Sequence, residues 1–166
     1  KLREMTERAE RKEDVPFSVS QSLNEFLLQQ LGLRDLPDKQ MKIAEYIIGN
    51  IDDDGYLRRD LSAIADDLIF QAGQEVDEKE IELNIIQDFE PAGVGARDLK
   101  ECLLIQLDKK ENTPVTNLAI RVLTEYFEEF TRKHYDKILR GLDIDEETLK
   151  KVIHEITMLN PKPGSS

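Results

Sequence analysis

The chain has no tryptophan, one cysteine, two histidines and no long apolar run. With Cys102 alone there can be no internal disulfide, and no Cys, His or carboxylate pattern has zinc-ligand spacing. No stretch approaches the ~20 apolar residues a membrane span requires, and nothing has the shape of a signal peptide. The expectation is a cytoplasmic protein with no membrane contact. Aromatic residues make up 6% of the 166, and hydrophobic residues 39%. A modest, aliphatic core of that kind suits small bundles of Leu and Ile better than one large sandwich. Positive charge is also short, with 23 Lys and Arg against 35 Asp and Glu, a net of −12. Residues 34–90 carry sixteen acidic and six basic side chains, whereas residues 91–166 are close to balanced at thirteen and twelve. A surface that binds nucleic acid unaided carries a positive excess to displace counterions. The first half therefore argues against direct DNA contact and fits a protein partner better.

What the sequence does have is helical periodicity. Residues 1–16, which begin KLREMTERAERKE, alternate charge with almost nothing to bury and read as a flexible linker. A first helix opens at Ser22, which forms a capping box with Glu25, continues through Leu23, Phe26, Leu27 and Leu31, and ends at Gly32 in a left-handed conformation. A second spans about Asp38–Asn50, with Met41, Ala44, Ile47, Ile48 and Ile51 on one face. The third covers 61–72 and stops at Gly73. Asp77 and Glu80 form a capping box for a fourth, with Ile81, Ile85, Ile86 and Phe89 as its apolar stripe. A fifth follows at RDLKECLLIQL. Beyond the polar segment 108–114, helices are expected over about 115–131, 135–142 and 146–159, and no stretch alternates with period two. The fold class is all-α: two small helical-bundle subdomains, 17–110 and 111–160, joined by a Gly-containing turn and a polar linker, with 161–166 as a tail. The boundary between the subdomains falls somewhere in 90–114.

Two glycine-bearing stretches invite chemical readings. PAGVGARD, residues 91–98, supplies Gly93 and Gly95 of a G-x-G-x-x-G pattern. The third position is Asp98, a carboxylate that repels phosphate, the preceding segment has helical rather than strand period, and no G-K-[ST] follows. The same residues make a good joint: Pro91 cannot continue a helix, and Gly93 and Gly95 accept positive φ. Asp98 falls in the first turn of the next helix, where negative charge is favoured. NIDDDGYLRRDL places Asn50, Asp52 and Asp54 at the first ligand positions of a calcium loop, but Arg58 and Leu61 stand where further ligands belong. It reads instead as an acidic turn. His134 and His154 are read as surface or packing residues, Cys102 as a buried thiol. There is no nucleophile–base pair, so no enzyme and no cofactor are expected.

Residues 135–156 have the outline of a helix-turn-helix, with Lys150, Lys151 and His154 on its second helix. Asp145, Glu146 and Glu147 crowd the end of that helix that would face base edges, so a DNA-binding regulator is the alternative rather than the leading reading.

The run FEPAGVGARDLKECLLIQL closely resembles the signature of the sigma-54 class of bacterial RNA polymerase sigma factors, within their core-binding region. SLNEFLLQQL, IAEYIIGNIDDDGYL and LNPKPG extend the resemblance over about residues 22–164. It implies docking on core RNA polymerase for activator-dependent initiation. Promoter DNA would be reached through other parts of such a factor, and an ATP-dependent activator would act on the holoenzyme. Arg97, Asp98 and Glu101 lie in the signature and are candidate polymerase contacts. The competing reading makes them intramolecular, with Asp98 capping and Arg97 paired to a nearby acid. Pro91, Gly93 and Gly95 are the expected structural joint.

Overall fold

The structure, a computed structural model, describes residues 22–73 and 75–165. The linker expected over 1–16 lies outside the described residues, as does Ser166 at the end of the expected tail. Among the described residues there are nine α-helices and no strand: α1 Leu23–Leu31, α2 Asp38–Gly49, α3 Leu61–Ala72, α4 Leu83–Gln87, α5 Leu99–Asp108, α6 Pro114–Glu125, α7 Phe127–Thr131, α8 Tyr135–Leu142 and α9 Glu146–Thr157. The chain is all-α, as the periodicity requires.

Two apolar clusters organise the helices. The first gathers Leu27 and Leu31 of α1, Ile43, Ala44, Ile47 and Ile48 of α2, Ile64 and Leu68 of α3, and Ile86, Phe89 and Val94 from α4 and the loop beyond it. The second gathers Leu103 and Leu107 of α5, Ala119, Val122 and Leu123 of α6, Ile138 and Leu142 of α8, and Leu149, Val152 and Ile156 of α9. These are the i, i+3 and i+4 positions of each helix, so burial follows the sequence stripe. A small third group, Tyr56, Ala96 and Cys102 with Ile105 against it, lies among the turn at 52–57, the loop at 91–97 and α5.

The helix ends show where sequence signals hold. The box at α1 forms in full, with the Glu25 N–H donating to Ser22 Oγ at 3.1 Å and the Ser22 N–H to Glu25 Oε1 at 3.2 Å. Thr113 caps α6, with Pro114 at its first position, and Asp145 caps α9. Gly73 ends α3 at φ 63°. Gly32, expected in the same conformation, has φ −62° instead. Leu33 and Arg34 continue in tight turns by donating to the carbonyls of Gln30 and Leu31, so no reversal of φ is needed there.

Two expected helices are broken. The fourth begins as a single 3-10 turn at Glu78–Glu80 and resumes as the five-residue α4. In a continuous helix Leu83 would lie about 200° around the axis from Ile81 and face away from the stripe. The break at Glu82 allows Val76, Ile81, Leu83 and Ile86 all to be buried. The helix expected over 115–131 divides at Tyr126, whose φ of −132° is not helical. The Tyr126 ring lies where a side chain on Gly141 of α8 would stand.

Candidate functional site

Three stretches far apart in sequence converge beside α5: the turn 52–57, the loop 91–97 and the segment 159–165. In the first, Asp52 organises the backbone. Its Oδ1 accepts from the N–H groups of Asp54 (3.0 Å) and Tyr56 (2.9 Å), while Oδ2 accepts from Arg58 Nε (3.1 Å). Burial works against the charged form of Asp52, but these donors outweigh it and hold the carboxyl below its ordinary value. The acidic turn is thus closed on its own backbone.

The loop 91–97 is held from both sides. Ahead of it, Gln30 of α1 and Glu90 exchange two hydrogen bonds, Glu90 N–H to Gln30 Oε1 at 2.8 Å and Gln30 Nε2 to the Glu90 carbonyl at 2.6 Å. Lys109, the C-cap of α5, reaches back to the carbonyls of Asp88 and Phe89 at 3.2 and 2.9 Å. Within the loop, Gly93 and Gly95 take φ of +98° and +82°, values that side chains other than glycine adopt only at a cost. The Gly95 N–H donates to the Gly55 carbonyl at 2.8 Å, and the Leu57 N–H to the Ala96 carbonyl at 2.8 Å, stitching loop to turn. Gly93 has a second constraint: a Cβ there would lie 2.9 Å from both Cys102 Sγ and Gln106 Nε2.

Gln106 explains the crowding. Its amide is buried in α5, yet Nε2 donates to the Asn160 carbonyl at 2.7 Å and Oε1 accepts from the Asn160 N–H at 2.8 Å. The Cys102 thiol points to the same carbonyl at 3.7 Å. Tyr56 donates its hydroxyl to the Pro161 carbonyl. The Gly164 N–H donates to the Asp54 carbonyl at 3.0 Å, and Ser165 Oγ lies 2.7 Å from Asp54 Oδ1. Burial raises both the Cys102 thiol and the Tyr56 phenol, so both are neutral donors at physiological pH.

At the mouth of this region stand the three candidate contacts. Asp98 is the N-cap of α5, one place earlier than a first-turn position, and accepts from the Glu101 N–H at 2.8 Å. Arg97 grips Glu101 three times, through its backbone N–H (2.7 Å), Nε (3.1 Å) and Nη2 (2.7 Å). Burial opposes ionisation of Glu101, but the Arg97 bonds prevail and its carboxyl lies below the ordinary value. The Arg97 side chain remains half exposed, and it lines one cleft with Arg58, Arg59, Asp60 and Glu78. His134 and His154 are both exposed. Among the described residues no group of three His, Cys, Asp or Glu side chains is placed to hold a metal ion, and no helix is long and apolar enough to cross a membrane.

The sequence singled out Gly93, Gly95 and Asp98 but assigned no role to Tyr56, Gln106, Asn160 or Gly164, although all four lie in the stretches that carry the resemblance. Gln106 carries a faint signal, since an amide four residues after Cys102 on an apolar helix face must find a partner. Nothing in one sequence says that the partner is 54 residues away.

What this geometry defines is an all-helical module in which three loops interlock around α5. Residues 15–166 match the family model described as sigma-54 factor, core binding domain, and the chain belongs to that family. It is 39% identical over 149 residues to the RNA polymerase sigma-54 factor of Pseudomonas aeruginosa (strain UCBPP-PA14) and 40% identical over 149 residues to that of Azotobacter vinelandii. Each alignment covers 89% of this chain and 30% of the relative. The corresponding factor of Escherichia coli (strain K12) is 32% identical over 152 residues, covering 89% of this chain and 31% of its own. The chain thus spans about a third of the length of the curated relatives it matches.

Proposed function

We propose that this chain is the module by which a sigma-54-class factor docks on core RNA polymerase, and that it acts by binding alone. The observation that carries the reading is the match to the core-binding family over residues 15–166, almost the whole chain. The charge distribution supports it independently, because a net of −12 fits a basic protein surface better than a duplex. The two apolar clusters are read as two helical units meeting at the 91–97 loop, with promoter recognition and the ATP-dependent activator engaging other parts of the factor.

In this reading Asp98 and Glu101 serve mainly to build the start of α5, since their carboxylates are already engaged. The exposed face of Arg97 is the member of the trio free to meet a partner. No observation favours the alternative in which 135–156 reads DNA: Asp145 caps α9, and Glu146 and Glu147 occupy its first turn. Titrating the chain against core polymerase, with a promoter duplex in parallel, tests the proposal. Saturable binding to the core and none to the duplex is expected; salt-dependent duplex binding without core binding would overturn it.

A further inference from the structure

We propose that residues 160–165 form a latch that sets how the second apolar cluster sits on the first, and that opens without unfolding either. The latch acts within the chain itself and does not depend on the docking role. It leaves α9, which belongs to the second cluster, and ends against the turn 53–55 beside the first. Its anchor points are Asn160 on Gln106 and near Cys102, Pro161 on Tyr56, Gly164 on Asp54, and Ser165 on Asp54 and the Asp53 carbonyl. Besides the latch, the clusters are joined by the chain at 90–98, the small Tyr56–Ala96–Cys102 group, a hydrogen bond between Glu101 of α5 and Gln87 of α4, and Lys109 reaching the carbonyls just past α4.

Three features make the segment separable. Between 160 and 165 only Pro163 is buried, so it is held by polar contacts rather than by core. Regions with that balance open locally at a fraction of the global cost. Leu159, the last residue before it, stays with the second cluster. The segment also keeps its own shape, because the Lys162 N–H donates to Asn160 Oδ1 and the Ser165 N–H to the Lys162 carbonyl, both at 3.0 Å. It therefore moves as a unit. The closed position demands glycine at 164, where a Cβ would run into the backbone of Asp53, Asp54 and Gly55, which cannot swing aside as a side chain can.

The test uses the whole chain with spin labels at Lys42→Cys on α2 and Lys137→Cys on α8, both exposed, while the native thiol of Cys102 is buried. Amide exchange and the label-to-label distance distribution are measured with and without Gly164→Ala, and again with Gln106→Met, which removes the amide while keeping the length of the side chain. The expected result is exchange at Asn160 and residue 164 faster by about tenfold or more, helix protection retained in both clusters, and a broadened distance distribution. Unchanged exchange in both variants would show that these contacts do not hold the segment. Faster exchange with an unchanged distance distribution would show that the segment does not set the orientation. Either result overturns the proposal. If Gly164→Ala unfolds the chain, Gln106→Met decides alone.

Discussion

Gln106 and Asn160 stand fifty-four residues apart and hold each other at two points, side-chain amide against backbone amide, at 2.7 and 2.8 Å. A lone amide on the apolar side of α5 would be a penalty; paired in both directions it is a specific lock. Replacing Gln106 by Met strands the Asn160 N–H and leaves its carbonyl only the Cys102 thiol at 3.7 Å, and each unsatisfied buried group costs about 1–3 kcal/mol. The segment can partly re-solvate by moving outward, so we expect a loss near the lower end, about 1–2 kcal/mol, read by urea unfolding. A variant as stable as the parent would mean that the pair is neutral against its hydrated alternative.

Gly93 is constrained twice, by its φ of +98° and by the two atoms 2.9 Å from any Cβ. Gly93→Ala therefore combines backbone strain of about 1–2 kcal/mol with overpacking of about 1–3 kcal/mol. The two parts separate in a double-mutant cycle. Cys102→Ala removes one of the colliding atoms, so Gly93→Ala should cost measurably less in that background. Strict additivity in the cycle would assign the whole effect to φ.

Asp98 contributes a cap rather than a bare charge. Asp98→Ala should destabilise the chain by about 1 kcal/mol, while Asp98→Asn, which also accepts from the residue-101 N–H, should cost much less. Equal losses in thermal unfolding would point to the charge instead.

The Arg97–Glu101 pair gives a pH dependence whose sign is fixed. The folded-state carboxyl of Glu101 lies below the ordinary 4.5. Its contribution is therefore complete above that value and is lost as pH falls through the folded value. With Arg97 about half exposed, the energy involved is small, so the titration itself is the better readout. Arg97→Met should move the Glu101 carbon-13 titration upward, toward or past 4.5, since burial alone raises it. No movement would show that the guanidinium does not control the carboxyl.

These residues also show what one sequence can carry. Caps and stripes are local, and Ser22–Glu25, Gly73 and the apolar face of α2 were legible because each signal lies within a turn or two of its effect. The helix breaks at Glu82 and Tyr126 were not, because both are decided by distant packing. Leu83 needs burial that a straight helix denies it, and Tyr126 lies on Gly141, fifteen residues further along. Gly93 and Gly95 were legible as turn formers. That Gly93 also makes room for Gln106, and Gln106 for Asn160, is tertiary information that periodicity does not encode.

The proposed docking role makes its sharpest demand at Gly95. Its φ of +82° disfavours any branched side chain, and a Cβ there would press on Gln87 Cγ at 3.3 Å and Ile86 Cγ2 at 3.4 Å. Its N–H and C=O are both used, toward the Gly55 carbonyl and the Gln87 amide respectively. Gly95→Val must therefore shift the loop against the 52–57 turn, while the helices on either side keep their own apolar stripes. The far-ultraviolet circular dichroism signal should stay close to that of the parent while affinity for core polymerase falls by tenfold or more, a loss of about 1.4 kcal/mol or greater. A variant that keeps its helices and binds the core as tightly as the parent would show that the geometry of this joint does not matter for docking, and the contact surface would then have to be sought on one cluster alone.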